Sequence, residues 1–402
     1  MNPAAVVNLS DAPSDCAISA SFDEPVGDFP VLTYSKKQVI KAGKALAGPI
    51  IWDDGKSEEI REIFRVAWNW RDSHAYPMRK IRFELAGRIK RLPAAGITAA
   101  RMKRMKSIRK KLARLSTTLV QIQDIGGTRA ILPSMDDVNG LLKMYRESNG
   151  PHSIREDRSY IDNPKAGGYR SHHFVLEFQP VATGEEVFQG RRIEIQVRTK
   201  LQHAWATAVE AVGLVRAEDL KGGEGNADWL RLFDLMSSEF AVAENSPVGP
   251  NMPKRSLRLK EIEHLNAKLN AFNTLESLNA TLKISETYFG KFSKFFLIEY
   301  DNLNQTVNVR SYQDSIKSAE QYDKREAQDA SKTTVLVEVD KVENLKEAYP
   351  NYFLDVRLFA QNLSNLLEGK KPITLLPQDQ DMTKTVRGYD LSFLDGWKKK
   401  SR

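Results

Sequence analysis

Residues 192–199 (RIEIQVRT) alternate strictly between polar and apolar side chains. In an extended strand that two-residue period sends Ile193, Ile195 and Val197 to one face and Arg192, Glu194, Gln196 and Arg198 to the other. A strand of this kind needs a sheet around it and helices over its apolar face, which excludes a purely helical chain. Residues 173–178 alternate in the same way. Residues 119–125 and 128–132 read as one strand that bends at Gly126-Gly127.

Helical periodicity flanks these strands. A capping-type Ser35 precedes a short helix carrying Val39, Ile40 and Leu46. Residues 57–92 read as helix, with Ile60, Ile63, Phe64 and Ala67 on one face and Ile81, Leu85 and Ile89 repeating at four. Residues 101–115 read as a basic helix, 135–145 as a short helix and 199–215 as another. The class is α+β: a mixed sheet flanked by helices over about 61–245, preceded by an acidic mobile tail at 1–34 and a helical segment at 35–60. The Pro/Gly-rich run 246–255 reads as a linker. Beyond it, 257–283 reads as one long helix, 295–301 and 306–312 as a hairpin, 333–339 as a strand and 353–367 as a helix. These make a second, small α/β module at 256–370, followed by a tail at 371–402.

The net charge of +8 over 402 residues is local. Residues 79–114 hold 14 Lys/Arg and one acid, Glu84, leaving the rest of the chain net acidic. A single cysteine, Cys16, excludes a disulfide framework and points to a reducing, cytoplasmic setting. No apolar stretch is long enough to span a membrane, and the first 35 residues carry no Lys or Arg, which argues against a leader. Walker A, GxGxxG, HExxH and GxSxG motifs are all missing, and none of the six histidines precedes an Asp.

Four clusters carry candidate chemistry. Lys103, Ser107 and Lys111, spaced by four, would share one helix face able to clamp phosphates; a solvated basic face is the plainer reading. Asp124, in IQDIGGTRAIL, sits beside a glycine pair that lets backbone approach a phosphate, and its carboxylate suits Mg²⁺; a turn Asp is the alternative. In the loop 160–173, Tyr169 can stack on a nucleobase while Lys165, Arg170 and His173 reach phosphates. Glu194, flanked by Arg192 and Gln196 and followed by Arg198, lies on the polar face of its strand. On the next helix Lys200, His203, Thr207 and Glu210 form a polar stripe, His203 being either a phosphate contact or an ordinary amphipathic-helix residue.

In this order, RMKRMKSIRKK (101–111), DIGGTR (124–129), SYIDNPKAGGYRSHH (159–173) and IEIQVRT (193–199) resemble the synthetase domain of the RelA/SpoT family, the (p)ppGpp alarmone synthetases. The resemblance covers about 61–215 and implies a nucleotidyltransferase-like fold. It also implies a pyrophosphokinase that moves the β,γ-diphosphate of ATP to a ribose 3′-hydroxyl of GDP or GTP. It makes Asp124 and Glu194 catalytic and Mg²⁺-binding. Arg101, Lys103, Ser107, Lys111 and Arg129 fall to ATP, and Lys165, Tyr169, Arg170, His173, Gln196, Arg198 and His203 to the acceptor. Ser159 and His172 depart from the family pattern on the acceptor side. Toxic relatives that modify the 3′-CCA end of tRNA make tRNA the alternative acceptor, contacted through 79–114. A catalytically inactive nucleotide sensor is a third reading. Small relatives often oligomerise, and the C-terminal module reads as a regulatory or partner-binding element.

Overall fold

The computed structural model describes residues 29–49, 57–148, 150–249, 251–281, 283–286, 294–301, 306–328, 332–339 and 343–376, together with Val26 and Asn304. Helix α1 (Lys36–Ala47) starts where expected, because Ser35 and Gln38 form a reciprocal capping box. The expected helix over 57–92 is two, α2 (Ser57–Asp72) and α3 (Ala75–Ile89). The break has a local cause: Ser73 Oγ donates to the Trp70 carbonyl at 2.8 Å and His74 Nδ1 lies 2.8 Å from the same oxygen, competing with the helix ladder.

Arg101 is not helical. It belongs to β1 (Ile97–Met102), and α4 (Met105–Arg114) begins only after Lys103 and Arg104. The cations mimic helical spacing, but Ala99, Ala100 and Met102 are buried in the sheet, and burial decides. Residues 119–125 are likewise no strand: a 3₁₀ turn (Leu119–Gln121) leads into β2 (Gly126–Leu132), and Leu119, Ile122 and Ile125 are plugs on an irregular segment. After α5 (Met135–Glu147), capped by Ser134, come β3 (Ser153–Ser159), β4 (His172–Glu177), β5 (Arg192–Thr199), α6 (Lys200–Arg216) and α7 (Ala227–Ala243). Strand β3, SIREDRS, escaped the period-two criterion because it is an exposed, charge-protected sheet edge.

The C-terminal α/β unit comprises α8 (Arg255–Leu269), α9 (Ala271–Thr281), β6 (Lys283–Glu286), β7 (Phe295–Asp301), β8 (Thr306–Tyr312), α10 (Ser315–Gln328), β9 (Lys332–Val339), α11 (Glu343–Ala348) and α12 (Arg357–Leu367). The long helix expected at 257–283 breaks at Asn270, whose φ of 48° is a left-handed conformation that Asn tolerates. Helix α12 starts later than expected, after a 3₁₀ turn at Pro350–Phe353.

This unit is joined to the rest through the sheet itself. Among the described residues nine strands run in the order β3-β4-β5-β2-β1-β9-β7-β8-β6, with β2–β5 and β6–β8 parallel. Strand β9 pairs with β1, and Glu338 on β9 lies within ion-pair reach of Arg79 (3.2 Å) and Arg82 (2.8 Å) on α3, all three buried. One core packs α1, α3, α4 and α5 against Ile193, Ile195 and Val197, the apolar face predicted for β5. The other joins α6 and α7 to α8, α9, α12 and strands β7–β9, with Phe359 wedged 5.5 Å from Phe233 and 5.8 Å from Phe240. The Pro/Gly-rich run is pinned as well, Arg255 and Arg258 both meeting Glu239. At the other end Phe29, placed in the expected tail, is buried edge-on to Tyr76; residues 1–25 lie outside the described residues. No described helix is long and apolar enough to cross a membrane.

Candidate functional site

Strand register builds the site. Arg101 on β1 pairs with Gly127 on β2, Gly127 with Glu194 on β5, and Glu194 with Val175 on β4. One step along, Ala99, Arg129, Gln196 and His173 form a parallel row that Arg158 on β3 extends to the sheet edge. Paired residues share a face, so these rows floor one cleft of about 490 Å³. The two glycines serve different needs. A Cβ on Gly126 would lie 2.8 Å from Ile193 and 3.3 Å from Met78, in the core under α3; one on Gly127 would meet nothing closer than 3.9 Å and would point into the cleft.

Asp124 stands at the entry to β2. Its two oxygens accept from Lys103 (2.7 Å) and Lys111 (3.0 Å). Burial alone would favour the neutral acid, but the two ammonium groups outweigh it and hold Asp124 at about 2. Burial pushes Lys103 down, opposed by Asp124. The expected face of Lys103, Ser107 and Lys111 thus forms, with Lys103 supplied from the turn before α4 rather than from the helix. Lining the cleft are nine Lys/Arg (Arg101, Lys103, Lys110, Lys111, Arg114, Arg129, Arg158, Lys165 and Lys221) and four acids (Asp124, Glu156, Glu194 and Asp219). The excess of positive charge suits a polyanion.

Glu194 closes a ring of side chains. Arg198 Nη2 donates to Tyr169 Oη at 2.7 Å and to Gln196 Oε1 at 3.0 Å. Gln196 Nε2 donates to Glu194 Oε2 at 2.7 Å. On the other arm Tyr169 Oη lies 2.7 Å from His173 Nε2, and His173 Nδ1 lies 2.9 Å from Glu194 Oε1. A carboxylate only accepts, so His173 Nδ1 carries a proton toward Glu194. Both arms converge on Glu194. Burial pushes its pKa up toward the neutral acid, yet the hydrogen bonds from His173 and Gln196 win and keep it below the usual carboxylate value; Asp124 pushes the same way as burial, so the two carboxylates sense each other. At the cleft edge Lys165 Nζ lies 4.1 Å from the Tyr160 ring centroid and 5.2 Å from that of Tyr169.

Two expected contacts lie elsewhere. Arg170 is buried, donating to Ser237 Oγ (3.1 Å) and the Ile161 carbonyl (2.7 Å); it ties the loop to α7 and does not line the cleft. His203 is buried with Nε2 3.0 Å from the Glu347 carbonyl, and burial together with Arg129 and Arg198 keeps it neutral. The N-terminal part of the polar stripe of α6 meets C-terminal chain, Lys200 pairing with Glu347 at 3.3 Å, while Glu210 pairs with Lys221.

Much of the basic surplus upstream of Arg101 meets partners within the protein. Arg79 and Arg82 meet Glu338, Lys80 meets Glu185, and Arg88 sits 4.5 Å over the Tyr145 ring. Of this surplus, Arg79 and Arg82 are buried, whereas Lys90 is exposed.

Sequence reasoning missed two tyrosines. Tyr352 Oη accepts from Arg101 Nη1 at 2.9 Å, and the Arg129 guanidinium lies 5.6 Å from the Tyr349 ring while donating to the Ala348 carbonyl at 3.0 Å. Both lie beyond the Pro/Gly-rich run in a stretch with no motif; Tyr349 lines the cleft and Tyr352 reaches Arg101 behind it.

Among the described residues no three His, Cys, Asp or Glu side chains form a ready-made metal cage. The donor set is two carboxylates. Mg²⁺ keeps several waters and is commonly held by one or two carboxylates plus phosphates, so Asp124 and Glu194 fit an ion that arrives with a nucleotide.

Residues 100–213 match the family described as the region found in RelA / SpoT proteins. Two curated relatives are similar over this stretch. GTP pyrophosphokinase YjbM of Bacillus subtilis (strain 168) is 34% identical over 112 residues, 27% of this chain and 51% of that protein. GTP pyrophosphokinase YwaC of the same organism is 28% identical over 116 residues, 27% of this chain and 54% of that one. The chain spans about half the length of these relatives. Among solved structures, small alarmone synthetase 1 from Bacillus subtilis, bound to its product pppGpp, is 23% identical; the match covers 46% of this chain and 94% of that one, with a TM-score of 0.38.

Proposed function

We propose that the cleft transfers the β,γ-diphosphate of ATP to the 3′-hydroxyl of a guanine nucleotide, GDP or GTP, releasing AMP. The RelA/SpoT match and the naming of the relatives as GTP pyrophosphokinases support the reaction class. The observation that carries it is the pairing of a lysine-clamped Asp124 with a Glu194 on which two hydrogen-bonded arms converge.

The acceptor 3′-oxygen attacks the β-phosphorus, the bond from that phosphorus to the α-bridging oxygen breaks, and AMP leaves. Glu194 receives the hydroxyl proton, its ionised form already favoured by His173 and Gln196. Lys103 and Lys111 neutralise the transferring phosphates, and Arg101 and Arg129 hold the adenosine end. Tyr169, fixed through its hydroxyl by Arg198 and His173, offers its ring to the acceptor base. Asp124 and Glu194 would hold Mg²⁺, which supplies charge neutralisation at the phosphates.

We further infer that the C-terminal unit restrains this site, since Tyr349 and Tyr352 engage the two arginines assigned to the donor. Incubating the protein and Mg²⁺ with γ-labelled ATP plus GDP, GTP or deacylated tRNA tests the reading. Label on the guanine nucleotide supports it; label on tRNA alone replaces the acceptor. Nucleotide binding without transfer to any acceptor reduces the protein to a sensor.

A further inference from the structure

Downstream of the matched region, α6 ends at Ala217, whose φ of 54° turns the chain into the loop 217–226 (AEDLKGGEGN). Leu220 plugs this loop into the core, buried against α6 and α7. The next residues stand out from it: Lys221 is half-exposed and lines the cleft together with Asp219 and Gly222. Gly223 (φ 81°) and Gly225 (φ 147°) give the tip a backbone that other residues adopt only with strain. Beneath Gly225, a Cβ would strike Glu218 and Leu220 at 2.7 Å, so the loop closes tightly on itself.

Two ion pairs hold the loop across the cleft. Asp219 takes Lys110 of α4, and Lys221 takes Glu210 of α6. Glu210 lies among Arg101, Arg129 and Lys221, which together keep its carboxyl ionised against burial. That one carboxylate faces three cations. On the α4 side Lys110 and Arg114 line the same cleft next to Lys111, with Asp219 the acid that answers Lys110. The loop therefore adds Lys221 to a cationic rim that includes Lys110, Lys111 and Arg114, with Glu210 and Asp219 holding the places an anion would take on Lys221 and Lys110.

We infer that loop 217–226 is a phosphate clamp, in which Lys221 exchanges Glu210 for the β- and γ-phosphates of the donor, and Lys110 is freed from Asp219 by the same exchange. This rests on the donor reading above and adds to it a binding residue from outside the matched region. The chemistry recognised is a triphosphate tail, not the base or the ribose. Lys221 makes no claim on the reacting hydroxyl and is a binding residue only.

Calorimetric titration of the full chain with α,β-methylene-ATP, inorganic tripolyphosphate and AMP, each with Mg²⁺, tests this. Wild type, Lys221→Met and Lys103→Met are compared. An exposed cation on a phosphate is worth about one tenfold step in affinity. Lys221→Met is therefore expected to weaken both triphosphate probes about tenfold and to leave AMP unchanged. If Lys103→Met weakens the triphosphates and Lys221→Met does not, the clamp is wrong and the donor reading stands. If wild type binds neither triphosphate probe, the donor reading fails and takes the clamp with it. An equal loss for AMP and the triphosphates would also overturn the clamp, because the loop would then be acting on the whole site.

Discussion

Gly127→Val separates the cleft from the fold with one side chain. Gly127 lies in the middle row of the sheet between Arg101 and Glu194, and its backbone is not in the left-handed region. A Cβ there has its nearest neighbour, the Arg101 carbonyl oxygen, at 3.9 Å, an ordinary contact. The Cβ therefore meets no clash, and replacing a strand glycine by a β-branched residue gains about 0.5–1 kcal/mol. The added methyl groups stand in the cleft floor between the two residues assigned to donor and base. Transfer is expected to fall at least about 100-fold, since a misplacement of about 1 Å costs that much. Gly126→Ala is the mirror case: its Cβ would press on Ile193 and Met78, an overpacking cost of about 1–3 kcal/mol, while the folded fraction keeps its cleft. Chemical denaturation and the labelled-ATP assay, run on both variants, read the two axes independently. A Gly127→Val protein that is destabilised by more than about 1 kcal/mol, or one that keeps wild-type transfer, refutes the assignment of this row as the cleft floor.

Other outcomes follow from named contacts. Asp124 is held at about 2 against an ordinary 3.8, a depressed carboxylate whose stabilisation is present above 3.8 and lost as pH falls toward 2. The stability difference between wild type and Asp124→Asn should therefore shrink by about 2 kcal/mol between pH 4 and pH 2, measured by urea unfolding at each pH. Glu338→Ala removes the carboxylate shared by buried Arg79 and Arg82 and should cost about 3–5 kcal/mol, read by the same method. Tyr349→Ala combined with Tyr352→Phe should raise affinity for α,β-methylene-ATP if these tyrosines restrain the donor arginines; an unchanged or weaker affinity makes them part of the donor site instead.

The legible part of this molecule was the part that repeats. The alternation of 192–199 set the apolar and polar faces of β5 correctly, and with them Glu194, Gln196 and Arg198 on one side. Lys103, Lys111 and Asp124 came together as the motifs implied, although two of the expected elements around them were misassigned. Arg101 sits on a strand because buried Ala99 and Ala100 outweigh a cation pattern that happens to step by helical intervals. Arg170 and His203 carry the right chemistry in the wrong place: each satisfies a buried carbonyl, which local sequence does not encode. Arg79 and Arg82 looked like surplus surface charge until Glu338, more than 250 residues later, accounted for them. Tyr349 and Lys221 line the cleft, and Tyr352 meets Arg101, only through tertiary packing, and none of them belongs to a repeat or motif.

The central claim is that Asp124 and Glu194 face one transfer centre. It is tested most directly by quantifying AMP release and the pyrophosphorylated guanine nucleotide together, for wild type, Asp124→Asn and Glu194→Gln. Equal amounts of the two products from wild type, and neither from the variants, is the predicted result. AMP without labelled guanine nucleotide, or undiminished transfer by either variant, would contradict it.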